Sequence, residues 1–283
     1  MKTRKKRPGK ALAVTAGVIV LAAVAGGIAA MHASQEKQRL KDRMTVLTED
    51  RTQILRDYVR NAEQTLLQYS EADQIKNLFR DPENAKLFSQ AQAYTEEFSR
   101  DNNITDGVYA GDCDTRILVH STDKVVGMVT RADPGARRVF QESLKSAGDS
   151  VYNAGLVVSP SLGRTALCMY KAFYDETGEL AGYAGLNMLP PSLSLPLDES
   201  TYRKEKIETF TIVNVADQKY ILDYKTPGAP VENEKIAELC STLSGTDAPA
   251  SGTFEYRDDW NKFLVSYSYM PEYGWLLLLD ARL

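Results

Sequence analysis

From Ala11 to Met31 the chain runs through twenty-one residues without a charge, directly after ten residues that carry six cations (Lys2, Arg4, Lys5, Lys6, Arg7 and Lys10). A run of Ala, Val, Gly and Ile with no polar face does not suit a helix packed on a soluble core. About 20 apolar residues are what one hydrocarbon crossing needs, and cations stay on the cytoplasmic side. The pattern therefore predicts a cytoplasmic basic tail over 1–10, a transmembrane helix over 11–31, and residues 32–283 outside the cytoplasm. A cleaved signal peptide is the competing reading, because Gly27, Ala29 and Ala30 offer small residues to a peptidase. Its apolar region usually spans only about 7 to 15 residues, which favours the retained anchor.

Beyond the anchor the apolar positions take a helical period. Leu40, Met44, Leu47, Ile54 and Tyr58 recur at spacings of three and four around a polar Arg51, and Leu55, Val59, Ala62 and Leu66 form a neighbouring stripe. Such a stalk can pair with its copy or pack on its own domain, and the width of the stripe allows both. Ser70-Glu71-Ala72-Asp73 can cap a short following helix, and Asp81-Pro82 can start another that runs to about Arg100. These stalk and packing helices fill 34–100. Asp101-Asn102-Asn103 ends them, and the period becomes that of strands.

From Gly107 the order of elements occurs twice. The first pass predicts strands over 107–111 and 116–121, a helix over 134–147, and strands near 151–158, 165–174 and 180–188. The second predicts strands over 208–215 and 219–224, a helix over 231–243, and strands over 252–256, 262–269 and 275–280. Two strands, a helix and three strands make a five-stranded antiparallel sheet with helical cover, given once in 101–190 and again in 191–283. Pro190-Pro191 and the Ser/Leu stretch after them supply the connector. The fold class is α+β.

Charge narrows the partners. Of 34 Lys and Arg, six lie in the first ten residues, leaving 28 cations against 38 acids in the remainder. That sign excludes a nucleic-acid binder. Cys113, Cys168 and Cys240 are odd in number and widely spaced, which reads as free thiols rather than a disulfide scaffold, with Cys113–Cys168 the only pair to check.

Several segments resemble a known family. Asp114-Thr115-Arg116-Ile117-Leu118-Val119-His120-Ser121 followed by Val126-Gly127, and Tyr174-Asp175-Glu176-Thr177-Gly178-Glu179-Leu180-Ala181-Gly182-Tyr183-Ala184-Gly185, resemble the hairpins of the double Cache sensor region. That region, two PAS-like lobes behind an anchor and a stalk helix, is the extracytoplasmic part of bacterial chemoreceptors, sensor kinases and diguanylate cyclases. The resemblance implies a bacterial cell-membrane protein, homodimeric through its stalk, with a small-molecule site in the membrane-distal first lobe. It also implies an Arg-Trp-Tyr set and an aspartate for α-amino acid ligands. Here the first reads Ala136-Arg137-Arg138-Val139-Phe140, and Asn187 stands where the aspartate is expected. A neutral amide gives no charge-assisted bond to an ammonium group.

The remaining candidates are polar groups on an apolar lobe. Tyr152 and Asn153 open the third strand, Met169, Tyr170 and Lys171 lie on the fourth, Asn187 on the fifth, and Arg131, Arg137 and Arg138 near the helix. An inward Lys171 or Arg131 would favour an anionic ligand such as a carboxylate. Gly182, Ala184 and Gly185 expose backbone to a ligand or to a packed neighbour. His120 reads as a hairpin-end hydrogen-bonding residue rather than a ligand contact.

Catalysis finds little support. With only His32 and His120, a triad or zinc site has one candidate histidine, and H-E-x-x-H, C-x-x-C, G-x-S-x-G and P-loop patterns are missing. Ser121-Thr122-Asp123-Lys124 matches S-x-x-K without its companion boxes. No cofactor or metal is implied. A ligand sensor fits best, a membrane-anchored binding or scaffold protein is the alternative, and an extracytoplasmic hydrolase a distant third. The chain closes at Leu283, just after the last strand, where a receptor of this type would begin its return crossing to an output domain. The expectation is the front part of a longer receptor, with a stand-alone subunit acting through a partner as the other possibility.

Overall fold

A computed structural model describes residues 9–81, 84–104, 107–159, 163, 165–188, 207–222, 228–245, 249–258 and 260–283. The first helix, α1 (Gly9–Glu71), is continuous over 63 residues, about 95 Å at 1.5 Å per residue. It joins the expected anchor and stalk in one rod. The side chains of residues 9–26 and 29 lie outside the described set. Among the described residues no helix is long and apolar enough to cross a membrane.

Two expected caps are placed differently. Helix α2 (Asp73–Arg80) follows Ala72 without a side-chain cap, because Ser70 is buried and donates its hydroxyl to the Leu67 carbonyl. Helix α3 (Ala85–Asp101) starts at Asn84, whose Oδ1 accepts from the N–H groups of Lys86 and Leu87. Asp81-Pro82 therefore does not open it, and Pro82 itself lies outside the described residues. Asn103, at φ 52°, ends the helical segment in a conformation asparagine tolerates better than most.

The first sheet comprises β1 (Val108–Asp112), β2 (Ile117–His120), β3 (Tyr152–Val158), β4 (Thr165–Tyr174) and β5 (Leu180–Met188), with α4 (Pro134–Ala147) between β2 and β3. Asp133 caps α4 by accepting from Ala136 N–H at 2.7 Å, with Pro134 just inside the first turn. The second sheet comprises β6 (Ile207–Asn214), β7 (Lys219–Leu222), β8 (Ser251–Asp258), β9 (Asn261–Met270) and β10 (Trp275–Arg282), with α5 (Glu234–Leu243) between β7 and β8. The orders are β2-β1-β5-β4-β3 and β7-β6-β10-β9-β8, each antiparallel throughout. The doubled order of elements in the sequence is thus one topology built twice.

Each sheet turns one face to α1 and the other to its own helix. Leu55, Val59, Ala62, Leu66 and Tyr69 of α1 share a core with Met169, Ala184 and Leu186 of the first sheet and with Ile212, Met270, Trp275 and Leu277 of the second. Nearer the start of α1, Met44, Leu40 and Leu47 pack with Ile207, Leu264, Leu279 and Ala281. The stalk stripe is therefore divided. The Leu55–Leu66 stripe and Met44 are spent on the chain's own sheets, while Ile54 of the other stripe stays 38% exposed. Ion pairs reinforce the packing: Lys37 Nζ lies 2.6 Å from Glu255, which also takes Lys262 at 2.7 Å, and Arg56 meets Glu272 at 2.6 Å.

The three cysteines are free, Cys168 and Cys240 buried and Cys113 partly so. Cys168 lies on the α4 side of the first sheet and Cys240 on the α5 side of the second.

Candidate functional site

Between the first sheet and α4 lies a box of aromatic rings around one cation. Strand alternation puts Tyr109 of β1, Cys168, Tyr170 and Ala172 of β4 and Tyr183 of β5 on this face, and α4 lowers Phe140 and Leu144 onto them. Phe140 meets Tyr170 and Tyr183 edge-on, with centroids 4.7 Å and 5.0 Å apart, and Tyr152 stacks on Tyr170 at 6.0 Å. At Gly185 a Cβ would come within 2.5 Å of the Tyr109 ring, so glycine is what lets that ring lie across β5.

Arg131 enters the box from the loop before α4. Its guanidinium carbon sits 3.6 Å from the Phe140 centroid and 5.3 Å from that of Tyr170. One Nη donates to the Tyr170 hydroxyl at 3.1 Å and the other to the Thr130 hydroxyl at 3.2 Å. Thr115, held at φ 65°, anchors the loop: its hydroxyl accepts from Arg131 N–H at 3.1 Å and its carbonyl from Thr130 N–H at 2.9 Å. Burial works against the guanidinium charge, but the surrounding Tyr170, Tyr183 and Tyr109, none of them a carboxylate, outweigh it and hold the pKa above its ordinary value. Burial pushes all three phenols upward, and the Cys168 thiol up to about 11, so the other side chains of the box are neutral. The box thus places one cation among neutral rings.

Of the residues expected at a site, Arg131, Tyr152 and Tyr170 meet in this box. Asn187 is fully buried on the same face, opposite Cys168 in the β4–β5 register. Asn153, Met169 and Lys171 do not join it, because neighbours along a strand point to opposite faces. Met169 belongs to the core under α1, and Asn153 Oδ1 accepts from Gly155 N–H at the β3 bulge. Lys171 reaches Asp149 at 3.7 Å. Arg138 faces solvent beside Glu142, and Arg137 binds Asp114 at 2.9 Å, because Phe140 and Leu144 occupy the inner side of α4. Gly182 makes room for Phe79 of α2, a packing role. Phe140, Tyr183, Tyr109, Thr115 and Thr130 are the site residues that the sequence reading did not select.

His120 borders the box, its ring stacked on Tyr109 at 5.2 Å. Its Nδ1 accepts from Thr122 N–H at 2.8 Å, and its backbone is clamped by the Gln92 amide, which donates to the His120 carbonyl and accepts its N–H. Nε2 has no partner among the described residues, and burial lowers the pKa from 6.5 to about 4. The unfolded chain therefore takes up a proton that the folded one refuses. The neutral imidazole's contribution is complete above pH 6.5 and is lost as pH falls from 6.5 toward 4, on the order of 3 kcal/mol. Urea unfolding at neutral pH and near pH 4.5 should show a smaller decline for His120→Phe than for the unmodified chain. Equal declines would move the acid sensitivity elsewhere.

No family sequence model matches the chain, and no curated protein matches it in sequence. Solved structures do match it in shape. The sensor domain of the V. cholerae histidine kinase DctB superposes with a TM-score of 0.60 at 12% identity, over 88% of this chain and 99% of that one. The sensory domain of the Campylobacter jejuni chemoreceptor Tlp3 with isoleucine bound gives 0.58 at 13%, over 88% and 95%. The ligand-binding domain of the Pseudomonas fluorescens chemoreceptor CtaA with L-isoleucine gives 0.56 at 14%, over 88% and 94%. The fold is that of the double Cache sensor regions.

Proposed function

We propose that the chain is the extracytoplasmic sensor region of a bacterial membrane signal-transduction protein, which binds a small carboxylate in its first, membrane-distal lobe. The observation that carries this reading is Arg131: a half-buried guanidinium held among aromatic rings, with no described carboxylate as its partner. The shape-matched sensor domains support a binding role, since Tlp3 and CtaA are seen with isoleucine bound. An ordinary α-amino acid suits this box less well. Its ammonium would meet phenols and the neutral amide of Asn187, none of which supplies the charge it needs. A carboxylate with an apolar or aromatic body and no free amine is the better occupant. It enters as the guanidinium turns away from Phe140, exchanging a cation–π contact for a charge-assisted pair.

The rest of the reading follows the rod. Residues 11–31 anchor the chain, α1 pairs with its copy through positions such as Ile54 that its own sheets leave uncovered, and closure of the box moves the sheet against α1. A ligand shifts such a two-state stalk only by its differential affinity for the two states.

The test is a thermal-shift screen of the purified full chain in detergent against carboxylates, amino acids, amines, purines and sugars. A ligand at about 100 times its dissociation constant stabilises by about 2.7 kcal/mol. Hits among carboxylates lacking an α-amine support the reading. Hits confined to amines or sugars would overturn it.

A further inference from the structure

The second lobe carries one aromatic side chain that the fold leaves entirely in solvent. Trp260, in the tight connection between β8 and β9, is 101% exposed, whereas Trp275, the other tryptophan, is 3% exposed. A bare indole has no role in the core, and its place along α1 is informative.

Strand β9 runs alongside α1, and two ion pairs calibrate it. Glu255, opposite Leu264 in the β8–β9 register, is bound by Lys37 and approached by Lys41, and Leu264 itself packs with Met44. Glu272, just past the far end of β9, is bound by Arg56. Moving back along β9 is therefore moving toward the start of α1. From Leu264 to Trp260 is four residues, about 13 Å along a strand, which equals about nine residues of helix. That places Trp260 level with roughly residues 28–35, where the uncharged run Ala11–Met31 gives way to polar sequence. Leu283, 39% exposed, lies at the same end, its N–H donating to the Lys262 carbonyl at 2.8 Å.

We propose that the β8–β9 tip is a membrane contact, with Trp260 seated in the interfacial layer of the bilayer that residues 11–31 enter. The proposal rests on the anchor reading above and adds a second foothold to it. Tryptophan is the side chain most at home at that depth, its ring in the acyl boundary and its N–H in the headgroups. Asp258 before it and Asn261 after it hold the tip at the surface and keep it from going deeper. The contact fixes the second lobe's tilt on the membrane, so that motion of α1 is read against a seated lobe.

The experiment uses the full chain reconstituted in phosphatidylethanolamine/phosphatidylglycerol vesicles, with and without lipids brominated high on the acyl chain. In Trp275→Phe the only indole is Trp260. Its emission should be blue-shifted and lose most of its intensity in brominated vesicles. A second protein, Trp260→Phe/Trp275→Phe/Val20→Trp, reports on the anchor alone. Quenching at position 20 without quenching of Trp260 overturns the tip contact and leaves the anchor standing. Quenching at neither overturns both, and quenching of Trp260 alone supports the contact and overturns the anchor. If Trp275→Phe does not fold, the same quenching is read as the difference between the unmodified chain and Trp260→Phe, whose exposed turn has no packing to lose.

Discussion

Replacing Arg131 by methionine should cost the proposed carboxylate ligand about 10- to 100-fold in affinity, the equivalent of the roughly 1.5–3 kcal/mol that hydrogen bonds to charged groups contribute. Methionine keeps the length and apolar bulk of the side chain, so Phe140 and Tyr170 remain covered. The unliganded fold should lose little, because the half-buried guanidinium gives up only hydrogen bonds to two neutral hydroxyls, and the desolvation it bears is relieved with them. Arg131→Lys separates charge from shape: it retains the cation but not the planar fork that spans the Tyr170 and Thr130 hydroxyls, and should recover only part of the affinity. Calorimetric titration of the three proteins with one carboxylate from the screen decides the matter. If Arg131→Met bound it as tightly as the unmodified chain, the box would not be the site.

Much of the fold was legible because its signals are local. Asp133-Pro134 announces the start of α4, and the expected range of 134–147 is the range found. Turn residues such as Asp175 and Gly178 separate β4 from β5 at the expected ends, since Asp175 accepts from Thr177 and Glu179 while Gly178 takes φ 84°. The site was only half legible, and strand geometry says why. Met169, Tyr170 and Lys171 are consecutive on β4, so a period of two allows at most the outer pair or the middle residue to face one pocket. The same rule, applied across β1, β4 and β5, would have gathered Tyr109, Tyr170 and Tyr183 on one side. The placement of Arg131 was beyond such rules. It depends on Thr115, sixteen positions earlier, accepting its N–H in a left-handed conformation, a long-range contact that leaves no periodic trace. The cap at Asn84 was missed for a simpler reason: Asp81-Pro82 offered a stronger-looking start three residues upstream.

Trp275→Ala should be among the most damaging single changes, about 3–5 kcal/mol against folding for loss of a buried tryptophan ring. Trp275 opens β10 at 3% exposure, its backbone pairs with Met270 and Asn214, and its ring packs at a tilt against Tyr273 at 5.3 Å. It also crosses the seam between the lobes. At Gly155 of β3, held at φ 76°, a Cβ would lie 3.2 Å from the indole, so the first sheet approaches the second through a residue without a side chain. The cavity left by alanine would therefore open inside the core shared by Leu66, Leu156 and Leu277 rather than within one lobe. Equilibrium urea unfolding followed by circular dichroism should show the midpoint fall and a single transition separate into two, as the lobes lose their common packing. A loss below about 1 kcal/mol with one sharp transition would mean that the lobes are coupled through α1 alone. Trp275→Phe should fall between, since it keeps a ring against Gly155. A core that unfolds as one unit also couples β3 and β4 mechanically to β10 and to the Leu55–Tyr69 stretch of α1 that packs in the same core.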